Sequence, residues 1–252
     1  MKIVARGVGK HFHDKRGGDV PVLRGLDLTV NGGELLCLLG PNGCGKTTFL
    51  NLLAGFEPPD EGEIAIDGRI VTGPSPEYVM IMQSYDLFPW RTVLGNVEYG
   101  LEMRGWKREQ RRQRARELIA LVGLAGCEEQ HPRELSGGMR QRVAIARALA
   151  VEPRVLFMDE PFGALDALTR ARMQEQLLRL WHHWQMTIIF VTHDINEALT
   201  LADTVAVLPS RPGPLRELIT LRQPRPRDLR DPVSLQLRDH LEQLLADPGF
   251  DQ

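Results

Sequence analysis

Leu35-Leu36-Cys37-Leu38-Leu39 followed by Gly40-Pro41-Asn42-Gly43-Cys44-Gly45-Lys46-Thr47-Thr48 decides how the rest of this chain is read. Five apolar residues in a row, with no polar alternation, are what a strand covered on both faces requires, and such strands belong to parallel α/β sheets. The next nine residues fit G-x4-G-K-[ST], the pattern of a phosphate-binding loop between a strand and a helix. The residue types answer to physics. Glycines let backbone N–H groups turn inward around phosphate oxygens. The helix that follows aims its positive end at the anion. Lys46 adds a point charge for the outer phosphates, and the Thr47 hydroxyl is a hard oxygen ligand suited to Mg²⁺.

Working outward, two more apolar runs end at chemically unusual residues. Val155-Leu156-Phe157-Met158 runs into Asp159-Glu160, and Thr187-Ile188-Ile189-Phe190-Val191-Thr192 runs into His193. In open α/β sheets ligands bind beyond the carboxyl ends of the strands, which is where all three endings fall. Helices alternate with these strands. Ala115, Leu118, Ile119 and Val122 form one apolar face at helical spacing, and Met173, Leu177, Leu180, Trp181 and Trp184 form another; both read as core stripes. Ahead of the loop, Ile3–Val8 and Val22–Val30 read as strands, as does Glu63–Ile66 beyond it, with Asp67-Gly68 as a hairpin turn. Residues 13–19 (HDKRGGD) read as an exposed loop. Pro209–Pro214 (PSRPGP) is expected to end the compact domain, leaving a basic, proline-containing stretch at 222–232 and a short helix near Leu235–Leu245.

The bulk numbers narrow the class. The chain has 252 residues, 42% of them apolar and 25% charged, with a net charge of −2. That is ordinary globular usage, and it provides no global positive field for nucleic acid. The three cysteines, Cys37, Cys44 and Cys127, have neither the number nor the spacing of a disulfide framework or a zinc site. No signal-peptide pattern opens the chain, and no run approaches the roughly 20 apolar residues that span a bilayer. A membrane role therefore has to come through a partner.

The phosphate loop alone fits kinases, GTPases and transport ATPases alike. Leu135-Ser136-Gly137-Gly138-Met139-Arg140-Gln141-Arg142, ahead of a helical Val143–Ala150, narrows the choice. Ser136 and two glycines at a helix start make a second anion-accepting terminus, with more glycine than a simple cap needs.

At this point the sequence resembles the ATP-binding-cassette (ABC) family, along nearly its whole length. LSGGMRQR is similar to the family's signature motif, Gly40–Thr48 to its Walker A, and Val155–Asp159 with Glu160 to its Walker B and catalytic glutamate. Gln83 sits where the Q-loop glutamine is expected, Ala164-Leu165-Asp166 looks like the D-loop, and His193 like the switch histidine. The resemblance implies a P-loop NTPase nucleotide-binding domain with a mainly parallel core sheet, an N-terminal antiparallel β-subdomain and an inserted α-helical subdomain near 86–150. The cassette is expected at 1–210 and a C-terminal extension at 211–252.

The resemblance also implies roles. ATP phosphates would be held by Gly40, Pro41, Asn42, Gly43, Cys44, Gly45, Lys46, Thr47 and Thr48. Mg²⁺ would be held by Thr47, Gln83 and, through water, Asp159. Glu160 would be the general base, His193 would contact the γ-phosphate, and Gln83 would touch the attacking water. Lys46 would stabilise developing charge, the usual main contribution in phosphoryl transfer. Ser136, Gly137 and Gly138 would reach ATP bound by a second cassette in a head-to-tail dimer, most simply a homodimer, with Asp166 nearby. For the adenine, Phe12 is the first candidate, ahead of His11 and His13; the family more often has Tyr, and core packing is the alternative for Phe12.

Pro89–Val93 (PWRTV), Asp159–Asp166 (DEPFGALD) and Arg222–Arg227 (RQPRPR) resemble the nitrate/sulfonate/taurine branch of importers. Members of that branch serve small solutes, mostly anions, through a separate permease and an extracytoplasmic binding protein, and sit peripherally on the cytoplasmic face of the inner membrane. Phe88-Pro89-Trp90 reads as an exposed anchor for a partner's helix, against burial within the helical subdomain. Arg104–Arg116 reads as a solvated helix face rather than a lipid or nucleic-acid contact. Cys44 reads as filling a small-residue position in the loop, with oxidation there a hypothetical block to ATP. The rival from another class is a soluble ABC ATPase acting on DNA or ribosomes. Such relatives carry long coiled coils or two cassettes, whereas here only about 90 residues separate loop from signature, without sustained heptads. An exporter cassette is the nearer alternative, disfavoured by the importer-like segments.

Overall fold

The computed structural model describes residues 1–13 and 17–246. In chain order the elements are β1 (Lys2–His13), β2 (Asp19–Asn31), β3 (Leu35–Leu39), α1 (Lys46–Ala54), β4 (Glu61–Ile66), β5 (Arg69–Ile70), β6 (Tyr78–Ile81), α2 (Val93–Met103), α3 (Arg108–Leu121), α4 (Gly137–Ala150), β7 (Val155–Asp159), α5 (Ala167–Trp184), β8 (Thr187–Thr192), α6 (Ile195–Leu201), β9 (Thr204–Val207), β10 (Glu217–Thr220) and α7 (Pro232–Ala246). The chain divides into two compact units, one comprising residues 1–78 and those from 187 onward, the other Val79–Met186.

The first unit carries an antiparallel sheet in the order β2-β1-β4-β5. β1 and β2 alternate buried and exposed residues over much of their length, as a sheet with one wet face does. Asp67 (φ 50°) and Gly68 (φ 75°) make the tight turn between β4 and β5, with both central residues left-handed as a two-residue hairpin needs. His13 pairs with Asp19 across the β1–β2 hairpin; Asp14, Lys15 and Arg16 of the expected loop lie outside the described residues. The same unit holds the strands β10-β9-β3-β8. β3 runs parallel to both β8 and β9, and every residue of β3, β8 and β9 is buried, the pattern expected when both faces are covered.

β10 pairs antiparallel with β9, from Glu217 opposite Val207 to Thr220 opposite Thr204. Pro209–Pro214 therefore connects two strands of one sheet, and the sheet continues past the point where the prolines place its end. The physical reason is that proline ends pairing locally but leaves the chain beyond it able to return. Helix α7 follows, with Leu241 fully buried. The carbonyls at the C-terminal end of α6 accept from two arginines of the 222–232 stretch. Arg225 Nη2 donates to Leu201 O at 2.6 Å and Arg227 Nη1 to Leu199 O at 2.8 Å. A helix end needs such partners for its last carbonyls.

The second unit contains β6 and β7 side by side and the helices α2 to α5. Ala115, Leu118, Ile119 and Val122 are all buried, as are Met173 and Leu177; Leu180, Trp181 and Trp184 are half-buried. The basic run forms much of α3. Arg111 pairs with Glu98 at 3.1 Å, and Arg114 with Glu152 at 2.8 Å and Glu117 at 3.5 Å. These contacts within the unit fit the solvated-face reading of the run. Thr92, Ser136 and Asp166 cap α2, α4 and α5 through their side-chain oxygens, at the N-terminal positions where Ser, Thr and Asp are favoured.

Candidate functional site

In the first unit, Leu39 of β3 pairs with Thr192 of β8. The phosphate loop and His193 therefore leave the sheet side by side, at the carboxyl ends of adjacent parallel strands. Gly43 (φ 82°) and Gly45 (φ 97°) take left-handed conformations that side chains rarely adopt. A β-carbon on Gly45 would also lie 2.5 Å from Leu23 Cδ2, so the loop has room only for glycine there. Lys46 begins α1 and is buried, its Nζ donating to Gly40 O and Pro41 O at 2.8 Å each. These bonds hold the ammonium inside the curve of its own loop. Thr47 and Asn42 are exposed.

Cys44 is buried beneath the loop, and a β-carbon on Gly40 would come within 2.8 Å of its sulfur. Burial pushes its thiol up, with Lys46 opposing. Burial also pushes Cys37 well up, reinforced by Glu197 and opposed by Lys46. His193 is exposed. Phe12 lies on β1 and is 40% exposed, with Lys10 Nζ 5.6 Å from its ring centroid, so its ring is not part of the core.

In the second unit, Asp159 ends β7 and is buried, while Glu160 follows it half-exposed. Glu160 has φ 47°, a conformation of the kind that costs a non-glycine residue about 1–3 kcal/mol and clusters at functional sites. Gln83 Nε2 donates to Glu160 Oε2 at 3.4 Å. These two sequence-predicted residues thus meet through a long hydrogen bond. Ser136 is exposed, caps α4 and accepts from Met139 N at 3.3 Å. A β-carbon on Gly137 would meet open space, whereas one on Gly138 would sit 3.3 Å from Ala164 O and from Leu165 Cδ2. Gly138 therefore lets the start of α4 approach the turn before α5. Asp166 caps α5 by accepting from Thr169 N at 3.0 Å, which holds its carboxyl below the usual range.

Two residues of α4 carry more than the sequence reading assigned them. Gln141 is fully buried, and its Nε2 donates to Pro161 O and, at 3.5 Å, to Glu160 O. It fastens the strained turn that presents Glu160. Arg147 donates to Asp86 O at 2.8 Å and Tyr85 O at 3.1 Å, and lies over the Phe88 ring at 5.4 Å. Tyr85 (φ 62°) and Asp86 (φ 32°) are themselves left-handed. One helix thus carries the signature cap and ties down the backbone on either side of the Gln83–Glu160 pair. Polar residues within an otherwise apolar helix were the available signal, but their partners are distant in sequence.

Trp90 is 72% exposed. Phe88 is half-buried, packed edge-on against Tyr99 at 4.6 Å and tilted against Trp90 at 5.5 Å. The aromatic segment is therefore divided, with Phe88 the inward part and Trp90 the outward part.

The family model described as ABC transporter matches residues 23–163. An uncharacterised ABC transporter ATP-binding protein of Methanocaldococcus jannaschii is 45% identical over 247 residues, 98% of this chain and 92% of that protein. The nitrate import ATP-binding protein of Synechocystis sp. is 46% identical over 224 residues, 89% of this chain and 84% of its own. The taurine import ATP-binding protein of Yersinia pestis bv. Antiqua is 51% identical over 201 residues, 80% of this chain and 79% of that one. Among solved structures, the dimeric post-hydrolysis state of an ATP-binding cassette bound to ADP and Pi is similar with a TM-score of 0.80 and 31% identity, over 88% of this chain and 99% of that one. On the family match and on relatives that parallel it almost from end to end, this chain belongs to the ABC transporter family.

Proposed function

We propose that the chain is the ATP-hydrolysing subunit of an importer and powers uptake of a small solute, of the nitrate, sulfonate or taurine type, through a separate membrane permease. The observation that carries the ATPase reading is the buried Lys46 within its glycine loop, on the strand directly beside the one that ends at His193. The import reading rests on relatives named for nitrate and taurine import.

In this reading the amides of Gly40–Thr48 and the Lys46 ammonium hold the β- and γ-phosphates. Glu160 takes the proton of the attacking water as the bond from the γ-phosphorus to the bridging oxygen breaks and ADP departs. Its hydrogen bond to Gln83 supports an oriented carboxylate. His193 is assigned to the γ-phosphate. Thr47, Gln83 and Asp159 present only oxygen donors, the set that fits Mg²⁺, and Asp159 is a buried carboxylate at a strand end. When bound, the ion neutralises phosphate charge. Phe12, with its exposed ring, is assigned to the adenine. Ser136, Gly137 and Gly138, with Asp166 nearby, are assigned to ATP held by a second cassette, so the working unit is a head-to-tail dimer of this chain.

Among the described residues no helix is long and apolar enough to cross a membrane. By the importer reading, the proposed location is peripheral, against a permease at the cytoplasmic face of the inner membrane, with an extracytoplasmic solute-binding protein as the indirect partner. Residues 1–210 are read as the cassette and 211–252 as its extension.

The test is a mild-detergent pull-down of the tagged chain from its native membranes, with partners identified by mass spectrometry. A multi-span permease is the expected partner. Recovery only with ribosomal or DNA-associated proteins would overturn the transport reading and leave the ATPase chemistry in place.

A further inference from the structure

The segment from Thr192 to Glu197 holds a buried polar chain that the motif roles do not use. Glu197 sits in the short helix α6 and is 6% exposed; Thr192, the last residue of β8, is 2% exposed. The Thr192 hydroxyl donates to Glu197 Oε2 at 2.8 Å. The same hydroxyl oxygen accepts from the backbone N–H of Asp194 at 3.1 Å. Asp194 in turn caps α6, its Oδ1 accepting from Asn196 N at 2.7 Å and Glu197 N at 3.4 Å. His193 lies between Thr192 and Asp194, the two residues joined by the hydroxyl–amide bond, and is itself exposed.

A carboxylate is seldom buried without partners, because removing it from water is costly. Here the carboxylate fixes the hydroxyl rotor of Thr192. With its hydrogen turned toward Glu197, the oxygen lone pairs are free to accept from Asp194 N–H. That ordered relay sets the backbone turn from which the His193 side chain projects.

We infer that Glu197, acting through Thr192, is a positioning residue that holds the turn presenting His193 to the γ-phosphate. The inference rests on the proposed assignment of His193 to that phosphate. A group held within a fraction of an ångström of its productive geometry accelerates the reaction far more than one left free. Loss of the relay should therefore lower turnover while leaving ATP binding, which the Lys46 loop provides, nearly unaltered.

The experiment is a double-mutant cycle on the full-length chain, reading kcat, KM for ATP and thermal midpoint. Thr192→Val keeps the shape and removes both hydrogen bonds, whereas Thr192→Ser retains them. The expected results are a kcat lowered about tenfold or more in Thr192→Val, with KM within about twofold, and recovery in Thr192→Ser. Glu197→Ala should behave like Thr192→Val, and Glu197→Gln, which keeps an acceptor oxygen, should fall between Glu197→Ala and the parent. In the background of His193→Ala, Thr192→Val should cost no further turnover, because the residue it positions is gone.

Equal losses in both backgrounds, or a fall in kcat that follows the thermal midpoint alone, would overturn the inference. If Glu197→Ala does not fold, the Thr192 pair reads the same relay. If His193→Ala itself leaves turnover at the parental level, the assignment of His193 to the phosphate fails; Thr192→Val lowering kcat in that background would then assign the relay to another group.

Discussion

Glu160 shows how much of the proposed chemistry depends on a single backbone conformation. Its left-handed φ of 47° is held from behind by Gln141, and its carboxylate takes a hydrogen bond from Gln83. Glu160→Gln keeps the size of the side chain and the turn but removes the proton acceptor. Turnover should fall about 10²–10⁴-fold while ATP still binds, as measured by steady-state hydrolysis alongside nucleotide titration. Parental turnover would remove Glu160 as the base. Cys44 makes the opposite point. It lies in the phosphate loop but is buried, and its thiol is pushed up by that burial. Since the thiolate is the reactive form, iodoacetamide at neutral pH should modify the partly exposed Cys127 first and leave Cys44 and ATPase activity intact until the chain unfolds. Peptide mapping against residual activity would test this, and it makes oxidative control through Cys44 the less favoured outcome.

At the scale of elements, α2 and the turn before it depend on Asn96. This side chain is fully buried. Its Oδ1 accepts from Phe88 N at 2.8 Å, and its Nδ2 donates to the carbonyls of Phe88, Arg91 and Thr92 at 3.0–3.2 Å. Those bonds close the 88–92 turn from which Trp90 projects. Replacing Asn96 by Ala would remove the side-chain partner of the Phe88 N–H and of the Arg91 carbonyl, while Phe88 O and Thr92 O keep the N–H groups of Arg91 and Asn96. A buried group left unmet costs about 1–3 kcal/mol. Asn96→Ala should therefore lower stability by about 2–4 kcal/mol in denaturant unfolding and raise the exchange rates of the 88–92 amides. Unchanged protection there would show that the turn is held by Phe88 packing instead. Helix α4 ties the same neighbourhood from another side. Arg147 reaches Tyr85 O and Asp86 O, and Arg142 reaches the carbonyls of Val122 and Gly123.

At the scale of the whole molecule, the residues after Pro214 add to the first unit instead of trailing from it. β10 extends the sheet, Arg225 and Arg227 satisfy the end of α6, and α7 buries Leu241 completely. Burial holds the Arg227 guanidinium down to about 10, with Arg225 adding to the effect. That is the mark of a cation drawn into a carbonyl-lined site for its hydrogen bonds. Leu241→Ala should cost about 2–5 kcal/mol by the cavity it leaves. A thermal midpoint unchanged from the parent would show that the extension contributes nothing to the stability of this unit.

What the sequence determined by itself was mostly local. The five-residue apolar run, the glycines and Lys46 are each adjacent in sequence, so β3, its loop and α1 could be read directly; β8 and the Asp67-Gly68 turn were legible for the same reason. The helical stripes followed from periodicity, the N-terminal strands from their residue types and turn signals, and the antiparallel pairing of those strands from the resemblance. The motif roles came from resemblance, since order and spacing along the chain carry that information without any coordinates. Only the tertiary structure decided which polar side chains hold the motifs in place. Gln141 reaches a turn 20 residues away, Arg147 a loop more than 60 residues away, and Arg227 a helix end 28 residues away. A hydrogen bond has no periodicity, so a glutamine or arginine in a helix looks the same whether it meets water or a distant carbonyl. The return of β10 to the sheet was hidden for a related reason. Proline and glycine mark where a strand stops, but the partner of the next strand is chosen by an edge that exists only once the sheet has formed.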